Sequence, residues 1–156
     1  MTRLFASAAV LALAAACAPS EAPTPPASET GPVLSYTGAF VMEPIAGRDM
    51  TMGGLNLSVE GGDVRLTGAS SPSIGTIELH TMAMADGKMQ MRQVESFTIA
   101  DGGSLELQRG GNHLMMFDLG EDVVSGETID ITLTLDADGE PMTLVVEADV
   151  RAVGDE

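Results

Sequence analysis

Both histidines of the chain lie in segments that also carry methionine. His80 is followed at every second position by Met82 and Met84. His113 is followed two residues later by Met115. Side chains two apart along a strand project from the same face of a sheet. If both segments are strands, each histidine shares a face with at least one thioether, and imidazole with thioether is a donor set for a soft metal ion.

The dipeptide Asp-Gly at positions 86 and 87 separates two strand-like runs and predicts a two-residue β-hairpin turn. With that turn centre, the pairs across the hairpin are Met84 with Met89, Met82 with Met91, and His80 with Gln93. Directly opposed side chains have Cβ atoms about 5 Å apart, and diagonal ones about 7 to 8 Å. His80 and Met91 are diagonal neighbours, so their long side chains can converge on one point.

The types of donor side chain restrict which metal ion the site can bind. Thioether sulfur is a soft, neutral donor that selects copper(I), whereas zinc and harder ions prefer imidazole with thiolate or carboxylate. A blue-copper electron carrier is excluded, because it needs a cysteine thiolate in the folded domain and the sole cysteine is Cys17. Methionine is also a common core filler, so a methionine stripe alone could be packing. The presence of same-face methionines beside both histidines favours a copper(I) site.

The segments that would position these donors have the pattern of strands. Glycine is scattered through residues 33–153, β-branched residues are frequent, and helical periodicity is lacking. The candidate strands cover residues 33–41, 55–59, 64–67, 76–84, 88–94, 104–107, 113–117, 128–135 and 142–150. Within residues 129–135 apolar and polar residues alternate strictly, which is typical of a strand with one buried face. Many short strands with regular turns predict an all-β Greek-key sandwich or barrel.

The N-terminus has the pattern of an export signal. Residues 1–16 contain Arg3, an apolar run that is too short to span a bilayer, and three alanines directly before Cys17. This arrangement resembles a bacterial lipoprotein cleavage site, at which Cys17 would become the lipidated first residue; ordinary cleavage is the alternative. Residues 17–32 are rich in proline and predict an extended tether. We therefore expect a periplasmic domain at residues 33–153, held at a membrane through Cys17.

The charge excludes some functions. The formal net charge of −16 becomes −17 when Arg3 is removed with the signal, because no acidic residue leaves with it. So acidic a chain is a poor nucleic-acid binder. Enzymatic activity is not expected either, because no nucleophile–base pair, phosphate loop or placed carboxylate pair is visible. Glu78, Glu95 and Asp118 are interpreted as solvated positions.

The spacing of the donors resembles a known motif. Ten residues separate His80 from Met91, twenty-one separate Met91 from His113, and one separates His113 from Met115. This spacing is similar to the copper-binding motif of the periplasmic PCu(A)C copper chaperones. The sequence around this motif also resembles that family, at residues 66–72, 77–80, 87–94 and 110–116. The resemblance runs from about Leu55 to Val150. The segment at residues 50–54 departs from the family by being richer in methionine.

The resemblance implies a cupredoxin-like β-barrel that binds copper(I) near its surface. The ligands carried over by position are His80, Met91, His113 and Met115, with Met82 as an auxiliary donor or a packing residue. The family implies delivery of copper to the dinuclear copper centre of cytochrome c oxidase, often alongside a thioredoxin-like copper protein. Some relatives have a second site in a C-terminal tail, which is not expected in the six residues after Val150.

Two other functions remain open at this point. The same donors would serve copper buffering or resistance, in which the protein sequesters copper without a dedicated acceptor. A metal-free structural lipoprotein would carry the same export signal and the same β-domain.

Overall fold

The computed structural model describes residues 31–154. The predicted signal peptide, Cys17 and almost all of the predicted tether lie outside this range. The described residues form the following strands: β1 (Val33–Met42), β2 (Met50–Glu60), β3 (Val64–Ser70), β4 (Ile74–Ala85), β5 (Lys88–Gln93), β6 (Phe97–Ile99), β7 (Ser104–Leu107), β8 (His113–Leu119), β9 (Thr128–Ala137) and β10 (Glu140–Arg151). Over residues 31–154, no helix is long and apolar enough to cross a membrane.

Nine strands follow one hydrogen-bonded path, in the order β5-β4-β8-β2-β1-β10-β9-β3-β6, and β7 pairs with β2. The pairing of β1 with β10 is parallel, and the other pairings between these strands are antiparallel. Strands β3 and β4, from opposite halves of the path, are in contact. The sheet therefore curls around a single core, to which Val41, Leu66, Leu114, Leu133 and Val146 each contribute from a different strand.

Strand β9 shows why the sequence forms these elements. Ile129, Ile131, Leu133 and Leu135 are buried, and the residues between them are exposed or half-buried. The period of two places every apolar side chain in the core and leaves the polar ones at the surface. The predicted alternation is confirmed.

Strand β2 begins five residues earlier than predicted, because Gly53 and Gly54 lie inside it. A Cβ atom on Gly53 would lie 2.6 Å from the Phe40 carbonyl oxygen, and one on Gly54 would overlap the Leu107 carbonyl group. At these glycines β2 changes its partner from β8 to β7. Glycine inside a strand marks such a close backbone approach, and the sequence alone does not distinguish it from a turn.

Candidate metal centre

Strands β4 and β8 bring the two histidines together. His80 and His113 are directly opposed in the antiparallel register, and their ring centroids lie 5.8 Å apart. Their inward-facing neighbours, Leu79 and Leu114, are paired in the same register and lie in the core. Both histidines are themselves buried. The sequence placed a methionine beside each histidine, but it did not predict that the two histidines face each other across a strand pair.

The hairpin of β4 and β5 has the predicted register, with Met82 opposite Met91 and Met84 opposite Met89. Its turn residues, Asp86 and Gly87, have φ angles of 52° and 74°. Positive φ at both central residues is the conformation that an Asp-Gly hairpin turn adopts. The hairpin carries Met91 to His113, so that the Met91 Sδ lies 3.1 Å from the His113 Nε2.

The protonation of His113 follows from its partners. Its Nδ1 lies 3.0 Å from the carbonyl oxygen of Gly111, which can only accept a hydrogen bond. Nδ1–H therefore donates to Gly111, and Nε2 keeps its lone pair on the side of Met91. This is the tautomer that a neutral imidazole needs to bind a metal through Nε2.

His80 is held differently. Its Nε2 lies 2.8 Å from a carboxylate oxygen of Glu78, to which Nε2–H donates. Its Nδ1 is buried and has no hydrogen-bond partner. A buried lone pair without a partner is costly and calls for an explanation. Binding of a metal by Nδ1 supplies one, and the carboxylate–histidine pair is a typical outer-shell arrangement of metal sites.

The interpretation of Glu78 as a solvated position is wrong, because its side chain is 30% exposed and is bound to His80. The sequence does carry a signal for this contact. Glu78 and His80 are two residues apart in a strand, and so they share a face.

Met115 lies on the same face of β8 as His113. It is opposite Glu78 on β4 and opposite Met52 on β2. Met91, His113 and Met115 all line one cavity of about 310 Å³. His80 does not line this cavity. Its ring instead lies next to the ring of His113, which does line it.

The donor set fits copper(I) better than it fits harder ions. Within residues 31–154, no group of three or more histidine, cysteine, aspartate or glutamate side chains lies close enough to hold a metal ion. The site instead offers two imidazoles and neutral thioether sulfurs. These soft and borderline donors suit copper(I), whereas zinc and magnesium sites need charged or oxygen ligands.

We expect Glu78→Ala to weaken copper(I) binding about 10- to 100-fold, which is the usual effect of losing an outer-shell partner of a ligating histidine. The measurement is an anaerobic competition titration against a chromogenic copper(I) chelator. Glu95→Ala, at an exposed position outside the strands, is the control and should bind as the parent does. Equal affinity of the parent and Glu78→Ala would mean that the Glu78 hydrogen bond does not position a ligand.

The chain is similar to known proteins over most of its length. Residues 34–148 match the family described as "Putative lipoprotein LpqE-like". A curated relative, "Putative lipoprotein Lxx21020" of Leifsonia xyli subsp. xyli (strain CTCB07), is 28% identical over 150 residues, which cover 94% of this chain and 88% of the relative. Because the match covers 94% of the chain, it extends into the N-terminal residues outside the described range.

Solved structures with the same fold are PCuAC domains. The "Copper-bound PCuAC domain from PmoF2" has a TM-score of 0.61 at 15% identity and covers 76% of this chain and 92% of that chain. The solution structure of "CuI-DR1885" from Deinococcus radiodurans has a TM-score of 0.55 at 33% identity, covering 73% and 75%. The match to the apo form of DR1885 covers 97% of this chain and 97% of that chain at 27% identity. The predicted all-β, cupredoxin-like fold is confirmed.

Proposed function

The chain belongs to the LpqE-like family, with PCuAC domains among its solved relatives as the sequence predicted, and on that premise we propose that it is an extracytoplasmic copper(I) chaperone. In this proposal it binds one copper(I) ion through His80, Met91, His113 and Met115. It then passes the ion by ligand exchange to an acceptor protein.

One observation carries the proposal: the Met91 sulfur lies 3.1 Å from the unprotonated nitrogen of His113, which is itself paired with His80. Three strands, β4, β5 and β8, are needed to build this contact. Packing alone does not account for Met91, whose side chain is still 49% exposed. The solved relative at 33% identity is described as a CuI form, which supports copper and its +1 state as the cargo.

Release of the ion follows from the unequal burial of the ligands. His80 and His113 are buried, whereas Met91 is exposed on the outermost strand of the sheet. Neutral donors leave the charge of copper(I) uncompensated, so an acceptor with thiolates binds the ion more strongly. Met91 is then the ligand that an acceptor displaces first. Met82, half-buried and opposite Met91, is the auxiliary donor that would hold the ion during the exchange.

The partners in this proposal are the copper-site subunit of cytochrome c oxidase and a thioredoxin-like copper protein, as the family resemblance implies. Lipidation of Cys17 in the periplasm would keep the domain near a membrane-bound acceptor, and the relatives described as lipoproteins support this anchor.

The test of delivery is deletion of the gene in a strain that is then grown at low copper. We expect loss of cytochrome c oxidase activity, which should be restored by added copper and by the parent gene. The Met91→Leu, His113→Ala variant should fail to restore it. Normal oxidase activity together with sensitivity to high copper would show buffering rather than delivery. No change under either condition would favour a metal-free structural lipoprotein.

A further inference from the structure

The cavity beside the candidate centre is lined by five methionines, of which the proposed site uses only two, Met91 and Met115. The other three are Met42, at the end of β1, and Met50 and Met52, at the start of β2. They include the methionine-rich segment in which the sequence departs from the family it resembles.

The sheet register places these methionines side by side. Met52 is directly opposite Met115 on β8, and Met50 is opposite Phe117. On the other edge of β2, Gly53 pairs with Val41, so the next position brings Met52 beside Met42. Methionines from β1, β2 and β8 therefore follow one another in a row across the sheet. Opposed side chains in such a row have Cβ atoms about 5 Å apart, within reach of long thioethers.

Packing accounts for Met42, which is buried, but it does not explain the two methionines of β2. Met116, the neighbour of Met115, is fully buried and is an ordinary core residue. In contrast, Met50 is 42% exposed and Met52 is only half-buried. An exposed methionine gains little of the hydrophobic stabilisation that burial gives. Methionine differs from leucine at such positions in its flexible, unbranched side chain and in its thioether, and the thioether binds soft metal ions.

We propose that Met42, Met50 and Met52 form a second, weaker site for a soft monovalent ion, copper(I) or silver(I), next to the first. The inference rests on the proposed function only in assigning Met91, His113 and Met115 to the first ion. The second site would hold an ion in the same cavity, so that the domain carries two ions when copper is abundant.

Electrostatics makes the second site weaker. The cavity is also lined by Glu43, Arg48 and Arg109, so charged groups of both signs lie near an incoming cation. The first ion adds a further positive charge nearby. Both arginines are exposed, and water screens their repulsion without removing it. We expect the second ion to bind at least about tenfold more weakly than the first.

The experiment is an anaerobic copper(I) titration of the domain from Gly31 onward, with stoichiometry from native mass spectrometry and affinities from chelator competition. The parent should bind two ions. The Met50→Leu, Met52→Leu variant should keep the tight ion and lose the weak one, because leucine conserves volume but has no sulfur. The matched control is Met84→Leu, Met89→Leu at the exposed hairpin tip, which should keep both ions.

Two results would overturn the proposal. One is a single ion in the parent at a severalfold excess of copper(I). The other is a Met50→Leu, Met52→Leu variant that still binds two ions, or that loses the tight ion while it remains folded. Absence of any tight ion in the parent would instead contradict the proposed function, so the two failures are distinguishable.

Discussion

We expect the replacement of Met91 by leucine and of the buried His113 by alanine to remove the tight copper(I) ion. Met91 is exposed, so its replacement leaves the core unchanged, and the double substitution takes away both the Met91 sulfur and the His113 Nε2 that faces it. Loss of an outer-shell partner alone costs about 10- to 100-fold in metal affinity. Loss of two donors should therefore exceed a decrease of about a hundredfold.

The measurement is an anaerobic copper(I) competition titration, with circular dichroism to show that the variant is folded. The control is Met84→Leu with Gln93→Ala, which removes a thioether and a polar side chain from the same hairpin and leaves the proposed ligands in place. We expect the control to bind as the parent does. If the parent and the ligand variant bind copper(I) equally weakly, the methionines are packing residues, and the chaperone proposal is wrong.

We expect Gly54→Ala to lower the free energy of unfolding by about 3 kcal/mol, the upper part of the usual range for overpacking a core. The added Cβ overlaps the Leu107 carbonyl group and lies 3.1 Å from the Phe40 ring. A carbonyl in a paired strand can move only if the pairing of β2 with β7 opens. The chain entropy that alanine saves in the unfolded state, about 0.4–1 kcal/mol, is too small to compensate.

Urea unfolding of the two proteins measures this difference. Gly68→Ala is the control, because Gly68 also lies within a strand and an added Cβ meets nothing within 4 Å. It should unfold within about 0.5 kcal/mol of the parent. If the free energy of unfolding falls by a similar amount in both variants, any side chain at a strand glycine is destabilising. The close backbone approach at Gly54 is then not the cause of the destabilisation.

The parts of the site that were predictable from the sequence depend on local rules. The Asp-Gly turn determines which residues face each other in the hairpin, so the pairing of Met82 with Met91 required no knowledge of the rest of the chain. The apolar alternation of β9 similarly identified its buried face. In both cases the information lies within about a dozen residues.

The pairing of His80 with His113 was not predictable in this way, because β4 and β8 are joined through several other elements. Their register depends on how the whole sheet curls, and not on a single turn. The first residues of β2 were missed because Gly53 and Gly54 weaken the strand pattern. Strand β6, with three residues, is too short for an alternation to be visible. The methionine row of β1, β2 and β8 was hidden for the same non-local reason.

The parallel pairing of β1 with β10 joins the first strand of the domain to the last, from Phe40 opposite Asp149 to Met42 opposite Arg151. Contacts between such distant parts of a chain raise the contact order and slow folding, because a long loop must close before they form. The sheet also cannot be completed while the C-terminal strand is still being synthesised. Strand β1 therefore waits for its β10 partner, and until β10 has been made the backbone groups on that edge of β1 are open to pairing with another strand.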